Sequence, residues 1–294
     1  MLLHRYLGSH AFETLRDANL MASRISSFND PFEFLYIAAG KMTATRARQM
    51  VEYKINNPDE APTFWLVARQ RFPNAKDEIE LKKLVRKSIP QFVINLVKEF
   101  ENIKSTTLEN RGRSADQNLR AICFCEAKEV KPLDEILIWS HYAKKHEGVR
   151  IGFEFPSGII NPFEVVKITY QEKRVELDMA QPMECEMGGK ILMQSLQTKS
   201  KAWEYEHEYR LFTSKDRCHD EIVKESVKEY FLDFNKEWVK SVDFGVRCPQ
   251  SEIEKILKLV RSEYPKNVIC KKAVFHKTEY ALEYQQILTN SNAF

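Results

Sequence analysis

The sequence predicts an α+β fold, in which a mostly antiparallel sheet carries a helical insertion over about residues 41–110. Apolar residues between positions 79 and 103 recur at intervals of three and four, which is the period of a helix with one buried face. After residue 120 the period changes to two, which indicates strands with one face in a core. We expect one α+β domain over residues 1–294, with the insertion as a subdomain, and the apolar content of 43% is enough for a sizeable core.

The segment before the insertion predicts a strand, a helix and a turn. Residues 2–7 are typical of a short strand, and Ser9 is placed to cap a helix over about 10–18. Residues 20–24 predict a second short strand or extended piece. Asp30 precedes a proline and follows Asn29, a combination that favours a turn.

The insertion is predicted to be helical from residue 41 to about 105. Pro90 is expected to kink or split its longest helix, because proline removes a backbone donor. Residues 105–118 are polar and show no periodicity, so we expect an exposed loop there.

The remainder of the chain predicts strands and two helices. One helix is expected over about 188–201, and another begins at Ser251, which forms a capping box with Glu254. The predicted strands cover residues 121–125, 149–155, 165–170, 205–212, 229–234, 239–246 and 268–275.

Composition excludes several classes of protein. No apolar run approaches the roughly 18 residues that a membrane-spanning helix needs, and the first residues lack the features of a signal peptide. The six cysteines are scattered, which favours reduced thiols in a cytoplasmic protein. With nine glycines and no G-x-G-x-x-G pattern, a glycine-rich phosphate loop is not expected.

Charge is distributed unevenly along the chain. The net charge is +3, but residues 41–120 hold 16 Lys and Arg against 10 Asp and Glu, so this block carries +6. We expect any nucleic-acid partner to bind this basic block, and the apolar stripe of the insertion could mediate a homo-oligomer. No membrane partner is expected.

Two clusters of polar and aromatic residues could carry chemistry. His4, Arg5 and Tyr6 lie on the first strand, where His4 and Arg5 face opposite sides, so at most one is expected to enter a given cleft. Trp139, Ser140, His141 and Tyr142 are expected in a loop before a strand, followed by His146. The spacing of five between the two histidines differs from the i, i+4 spacing of a helical zinc pair, so no metal site is predicted.

A third cluster runs from Trp203 to Arg210. If it is a strand, Glu204, Glu206 and Glu208 share one face, where like charges repel unless water, a cation or a substrate lies between them. Two interpretations stay open. The strand could be an edge strand with a solvated charged face, or the carboxylates could lie in a cleft with Arg210 as their partner.

Together these clusters resemble a bacterial family of unknown function, DUF2971. The resemblance rests on F-N-D-P-F-E after an R-Y strand, on C-F-x-E, on W-S-H-Y-A-x-x-H-x-G, and on W-x-Y-E-x-E-Y-R. The family pattern has a lysine before the last tryptophan, a place that Lys199 or Lys201 could fill, and residues 242–245 resemble its final strand. The resemblance implies an architecture more than a reaction. Members resemble components of abortive phage-infection and toxin-like systems.

The order of the clusters also resembles the ADP-ribosyltransferase superfamily. This resemblance implies that Arg5 or His4 holds the nicotinamide end of NAD, and that Tyr142 or Trp139 stacks on the nicotinamide. It implies that Glu208 or Glu206 stabilises the ribose cation, since cleavage of the glycosidic bond creates positive charge there. NAD would then be a substrate. The chain departs from the superfamily because no S-T-S triplet follows its first strand.

Three functions therefore remain as hypotheses. The first is an NAD-dependent ADP-ribosyltransferase or NAD glycohydrolase with an unidentified acceptor. The second is a non-enzymatic module that recognises nucleic acid or protein, and the third is a nuclease using His141 with Glu206, Glu208 and Asp30. The expected catalytic residues are Glu208, Glu206 and His141. The expected substrate-binding residues are Arg5, His4, Tyr6, Asn29, Asp30, Trp139, Ser140, Tyr142, His146, Trp203 and Arg210, with Trp139 and Trp203 as apolar walls of one pocket.

Overall fold

The computed structural model describes residues 1–33, 37–39, 42–105, 118–127, 130–156, 165–178, 194–223 and 227–287. The chain divides into two compact units, which are described separately. The first consists of Met1–Pro31, Arg113–Glu172 and Lys199–Phe294, and the second of Phe32–Gly112 and Lys173–Thr198. The helices predicted over residues 41–110 belong to the second unit. The expectation that the chain is one domain stays a prediction.

The first unit is built on a sheet to which nine strands contribute among the described residues. The strands are β1 (Leu2–Leu7), β3 (Ser23–Arg24), β5 (Leu119–Glu126), β6 (Val149–Glu154), β7 (Val165–Lys167), β11 (Glu208–Ser214), β14 (Val239–Phe244), β15 (Ile269–Phe275) and β16 (Leu282–Gln286). Their order in the sheet is β16-β15-β14-β6-β1-β5-β11-β7, with β3 also paired to β5, and every one of these pairings is antiparallel except that of β14 with β15. The predicted α+β class with a mostly antiparallel sheet is therefore confirmed.

Helices cover both faces of this sheet. Helix α1 (Ala11–Asp17) and helix α7 (Gln250–Glu263) pack on one face, where Leu3, Ile151 and Val242 meet Leu15 and Ile256 in the main core. Helix α6 (Pro132–Tyr142) packs on the other face, where Trp139 contacts Tyr6 and Cys125. The alternation along each strand produces this division, because successive side chains point to opposite faces.

The first unit also contains shorter strands. A three-stranded sheet joins β12 (His219–Val223), β13 (Val227–Asp233) and β2 (Asn19–Met21). The strands β8 (Thr169–Gln171) and β10 (Thr198–Ser200) precede a 3-10 turn over Lys201–Glu206.

The second unit is mainly helical. It contains α2 (Ala44–Asn56), α3 (Pro62–Arg71), α4 (Glu78–Lys87), α5 (Ile89–Ser105) and a parallel pair of short strands, β4 (Ile37–Ala39) and β9 (Glu176–Asp178). Two helix starts carry side-chain caps: Thr43 accepts a hydrogen bond from the backbone N of Arg46, and Asp77 accepts one from Glu80. Leu81 and Val85 are buried in its core.

One predicted helix boundary is confirmed and two are corrected. The helix is split beside Pro90, as predicted: the break between α4 and α5 falls at Ser88, and Pro90 lies in the first turn of α5, where its missing N–H leaves no helical bond unmade. Helix α1 is preceded by His10 and has no side-chain cap, so the cap predicted at Ser9 is wrong. Helix α7 is preceded by Pro249 and also lacks a side-chain cap, so the capping box at Ser251 is wrong.

Other predictions need a change of type or lie outside the described residues. The strand predicted over 165–170 is two strands, β7 and β8, and β16 was not predicted. Residues 188–193 of the helix predicted over 188–201 lie outside the described residues, as does most of the loop predicted over 105–118. Residues 194–196 are helical, as predicted, but Thr198–Ser200 is a strand. None of the helices in the described part of the chain is long and apolar enough to cross a membrane.

Candidate active site

A cavity of about 330 Å³ lies in the first unit, on the face of the sheet that α6 covers. Residues from β1, β5, β10, β11 and α6 meet there with the turn at 27–29. Of the residues predicted from sequence, the cavity is lined by His4, Arg5, Tyr6, Asn29, His141, Tyr142, Glu206, Glu208 and Arg210.

Strand β11 points two of these residues into the cavity. Glu208 lies opposite Cys125 of β5, and Arg210 lies opposite Cys123, so all four side chains share one face. Tyr209 and Leu211 alternate with them and pack into the main core. Because β11 lies between β5 and β7, it is not an edge strand, and that interpretation of the third cluster is wrong.

The sequence predicted that the three carboxylates share one face of a strand, but the structure does not place them on one strand. Residues Lys201–Glu206 form a 3-10 turn, His207 follows in the left-handed region with φ of 43°, and the strand begins only at Glu208. This change of direction leaves Glu204 exposed and brings Glu206 beside Glu208 in the cavity.

A buried network of charges occupies the cavity wall. Arg210 donates to both carboxylate oxygens of Glu208, from Nε at 2.6 Å and from Nη2 at 2.8 Å. Lys199 on β10 bridges the carboxylates, with Nζ 2.6 Å from Glu206 Oε2 and 3.1 Å from Glu208 Oε2. All four side chains are nearly inaccessible to solvent, and hydrogen-bonded pairing is what allows charges to be buried.

The two carboxyl groups have pKa values displaced in opposite directions. Burial tends to raise the pKa of Glu208, but the charge and hydrogen bonds of Arg210, together with Lys199, outweigh burial and lower it to about 2. Burial dominates at Glu206 and raises its pKa above the usual value, although Lys199 opposes the shift. Glu208 is therefore firmly ionised, whereas Glu206 takes up a proton more readily.

Tyr142 links α6 to Glu206. Asn29 donates a hydrogen bond of 2.7 Å from Nδ2 to the hydroxyl of Tyr142, which in turn donates to Glu206 Oε1. Burial, followed by the charge of Glu206, raises the pKa of Tyr142, so the hydroxyl keeps its proton. Both oxygens of Glu206 accept hydrogen bonds in this arrangement, which is the pattern of an ionised carboxylate.

Replacing Tyr142 by Phe tests this link. We expect the free energy of unfolding to fall by roughly 1.5 kcal/mol, because a hydrogen bond to a charged group is lost. Chemical denaturation measures the change, with Tyr53→Phe as the control, since Tyr53 donates to Glu60 at an exposed position. Equal losses in the two variants would contradict the role assigned to Tyr142.

Aromatic rings cover both cations of the network. Phe28 lies 4.8 Å from the guanidinium carbon of Arg210, and Trp203 lies 5.0 Å from Nζ of Lys199. A cation over an aromatic face is stabilised electrostatically, more so where water is excluded. Phe28 is also part of the cavity lining.

His4 and Arg5 both line the cavity, contrary to the prediction that at most one would. Strands β1 and β5 pair only at Leu3–Glu126 and His4–Cys125, and Arg5 donates from Nη1 to the carbonyl oxygen of Cys123 at 2.7 Å. Its guanidinium thus reaches β5 instead of staying on the opposite face. Burial, reinforced by Arg150, lowers the pKa of His4 to about 3, so this imidazole is neutral.

Five predicted residues do not line the cavity: Asp30, Trp139, Ser140, His146 and Trp203. The second cluster lies on helix α6 and not in a loop, so its side chains point in different directions around the helix. Trp139 is buried and donates to the hydroxyl of Tyr284 at 2.9 Å. Ser140 lies 3.0 Å from Nε2 of His146 and donates to the carbonyl oxygen of Ile136. These contacts give Trp139 and Ser140 a structural role.

His141 lies at the rim of the cavity. Its Nδ1 is 2.9 Å from the hydroxyl of Tyr205, and the side chain is largely exposed. It is therefore placed to contact a bound molecule, but the described contacts do not join it to the carboxylates.

A second buried network holds α6 on the sheet. Arg150 on β6 pairs with Asp243 on β14 at 2.9 Å and with Glu135 on α6. The hydroxyl of Tyr284 donates to Glu135 at 2.7 Å, and the guanidinium of Arg150 lies 4.3 Å from the Tyr284 ring. We call Arg150, Glu135, Asp243 and Tyr284 the α6 clamp. It fixes the helix that carries Tyr142 and His141.

The sequence interpretation gave no role in the cavity to Lys199, Phe28, Cys123 or Cys125, all of which line it. A place for Lys199 in the site could have been predicted, because the family pattern has a lysine before Trp203. The sequence contains no comparable indication for the two cysteines, since only the pairing of β5 with β11 places them beside Glu208. Among the described residues, no group of three or more His, Cys, Asp and Glu side chains could hold a metal ion.

A comparison with protein families finds a match to part of the chain. No curated protein and no solved structure matches the chain. Residues 138–211 include Tyr142, Lys199, Glu206, Glu208 and Arg210, and thus much of the cavity wall. As the sequence motifs predicted, this stretch of the chain matches DUF2971, a family described as proteins of unknown function.

Proposed function

We propose that the cavity cleaves the N-glycosidic bond of NAD, releases nicotinamide and transfers the ADP-ribosyl group to water or to a macromolecule. One observation carries the proposal: Glu206 and Glu208 share Lys199, yet their pKa values are displaced in opposite directions. Pairs of carboxyl groups separated in this way commonly divide the roles of charge stabiliser and proton acceptor between them.

Glu208 is suited to stabilise positive charge. Its lowered pKa keeps it ionised throughout the physiological range, and the two bonds from Arg210 fix its orientation. Cleavage of the bond between ribose C1′ and the nicotinamide nitrogen leaves an oxocarbenium-like ribose. A preorganised carboxylate stabilises that charge without having to reorient.

Glu206 is suited to accept a proton. In the proposed reaction the electrons of the broken bond stay on the nicotinamide nitrogen, and neutral nicotinamide leaves. An acceptor hydroxyl forms the new bond to C1′, and its proton passes to Glu206, whose pKa is raised by burial. Tyr142 and Lys199 hold Glu206 in place through hydrogen bonds to its two oxygens.

The size and charge of the cavity agree with this substrate. At about 330 Å³ it is at the small end of the range for ligand sites, so it would hold the nicotinamide and its ribose, with the rest of the dinucleotide outside. Three cations, Arg5, Lys199 and Arg210, face two carboxylates, and His4 is neutral. The excess positive charge favours a substrate that carries phosphates.

The nuclease hypothesis has less support from the geometry. It needs Asp30 and His141 beside the carboxylates, but Asp30 is not part of the cavity lining and Nδ1 of His141 faces Tyr205.

Incubation of the purified chain with NAD tests the proposal. We expect nicotinamide release by the wild type and loss of about 10²–10³ in rate for Glu206→Gln, which removes the proton acceptor. Glu204→Gln is the matched control, because Glu204 is exposed on the same turn. Label on the adenylate half, followed into water-soluble ADP-ribose or into macromolecules of a cell extract, identifies the acceptor. If the folded wild-type protein releases no nicotinamide from NAD, either alone or with the cell extract present, the proposal is wrong.

The proposed biological setting is a toxic effector, in phage defence or a toxin system, as the family resemblance implies. Expression of the wild type should then arrest growth and deplete NAD, whereas Glu206→Gln should do neither. Growth arrest that persists in Glu206→Gln would contradict this setting.

A further inference from the structure

Helix α4 carries basic residues on one face. Lys82, Lys83, Arg86 and Lys87 are exposed, and each has another of the four at three or four positions along the chain, so these pairs are neighbours on the helix surface. The helix buries Leu81 and Val85 on its other side. We name the four cations the α4 basic stripe.

The stripe is not neutralised within the described part of the chain. No ion pair joins its four cations to a carboxylate there, and the two acids that begin α4 have other contacts. Glu78 pairs with Arg69 at 3.0 Å, and Glu80 accepts a hydrogen bond from the backbone N of Lys76 at 2.8 Å. The stripe therefore concentrates four positive charges within little more than one helical turn.

This concentration lowers the stability of the helix. Lys82 with Arg86, and Lys83 with Lys87, are like-charged pairs at i, i+4, a spacing at which like charges destabilise a helix. Basic residues in the last turn favour the helix through its dipole. That effect does not require the two parallel rows formed by Lys82 with Arg86 and by Lys83 with Lys87. A polyanion bound along the rows would convert the repulsion into attraction.

We propose that the α4 basic stripe binds the phosphate backbone of a nucleic acid. The proposal is independent of the chemistry proposed for the cavity. Residues four apart on a helix rise by about 6 Å, and a nucleic-acid strand carries one charge per about 3.4 Å of axis, so each row could meet about every second phosphate. Lys and Arg contacts of this kind give affinity with little sequence preference.

The surroundings of the stripe favour a nucleic acid over a membrane or an acidic protein. A helix that lies on a membrane needs a broad apolar face, but the apolar face of α4 is buried, and of the apolar side chains only Ile79 lines the shallow depression that the described part of the stripe forms. A protein interface of ordinary affinity needs a desolvated apolar centre, which four adjacent cations do not provide.

Fluorescence anisotropy with the full chain and a labelled 20-nucleotide RNA of random sequence tests the proposal. With four phosphate contacts, the Kd should rise roughly 50-fold between 50 and 200 mM salt, or about 150-fold with a 20-base-pair DNA duplex. The variant with Ala at all four stripe positions should bind at least about tenfold more weakly at 50 mM salt and lose most of the salt dependence. Alanine favours the helix, so we expect this variant to fold.

The control removes four exposed cations of the first unit, Lys258, Arg261, Lys266 and Lys277, and should leave the Kd within about twofold. Equal weakening in the two variants would overturn the proposal. Binding by the wild type to vesicles rich in anionic lipid, with no binding to either oligonucleotide, would also overturn it.

Discussion

Replacing Glu208 by Gln is expected to lower the free energy of unfolding by about 3 kcal/mol, since its pKa is about 2 in the folded protein against an ordinary 4.5. The substitution leaves Arg210 and Lys199 buried with one carboxylate between them. Under the proposed function it also lowers the rate of nicotinamide release by about 10²–10³. The buried pairing of Glu208 with Arg210 and Lys199 is the reason why loss of stability is expected to accompany loss of activity.

Chemical denaturation of Glu208→Gln and Glu206→Gln side by side measures the difference. Burial raises the pKa of Glu206, so the folded protein tolerates a neutral side chain there better than at Glu208. We expect Glu206→Gln to be the milder change in stability, while both variants lose activity. A larger loss of stability in Glu206→Gln would contradict the assignment of the two carboxylates.

The pH dependence of stability provides a further check on Glu208. A carboxyl group whose pKa is lowered by folding contributes stability above its unfolded value, here 4.5, and that contribution is lost as the pH falls towards about 2. Acid titration of wild type and Glu208→Gln should therefore show stabilities that converge between about pH 4.5 and 2. Curves that stay parallel over this range would show that Glu208 is not held ionised by its partners.

Arg150→Met is expected to lower the free energy of unfolding by about 3 kcal/mol, because it leaves the buried Asp243 and the half-buried Glu135 without their cation. Methionine fills a similar space and removes only the charge and the hydrogen bonds. Asp243 has 2% of its surface exposed, so water cannot replace the guanidinium. Thermal or urea unfolding measures the loss.

The matched control for Arg150 is Lys228→Met. Lys228 pairs with Asp220 at 2.6 Å on the surface of the sheet of β12 and β13, where solvent screens the ion pair and its contribution to stability is small. Similar losses in the two variants would mean that the α6 clamp does not hold the helix.

The periodicity of the sequence predicted most of the sheet but not the turn that forms the site. Residues 149–154 alternate as a strand and are one. Residues 204–208 alternate equally well, with Glu at every second position, yet the 3-10 turn Lys201–Glu206 and its cap at His207 interrupt the run, and the strand begins only at Glu208. A positive φ at histidine has no signature in a single sequence, so the change of direction before Glu208 could not be predicted.

Helix α6 was only partly predictable, because its sequence combines features of a helix start with apolar residues that lack the helical period. Its start has Pro132 followed by Asp134 and Glu135, which are features of a first helical turn. The apolar residues that follow, 136–139, are continuous and not periodic, because the helix contacts the sheet on one side and borders the cavity with Ile138. The aromatic cluster at its end was therefore assigned to a loop.

Interactions between residues that are distant in the chain could not be predicted from the sequence. Arg150 and Asp243 are 93 positions apart and meet only because β6 pairs with β14. Glu206 and Glu208 were expected to act together, but their opposite pKa displacements depend on Lys199 and Arg210, which the fold brings to them. Nine of the fourteen residues that sequence identified thus line the cavity, while their division of roles follows from the structure.

The most direct test of the proposed reaction is the pH profile of nicotinamide release from NAD by wild type and by Glu206→Gln. The wild-type rate should rise with pH through a pKa above the ordinary 4.5 of a glutamate, as Glu206 becomes ionised, and level off near neutral pH. The rate of the slower Glu206→Gln variant should not show this rise with pH. Azide, a nucleophile from which no proton has to be removed, should restore part of the rate of the variant. No release by folded wild type at any pH, or the same acidic limb in both proteins, would contradict the account.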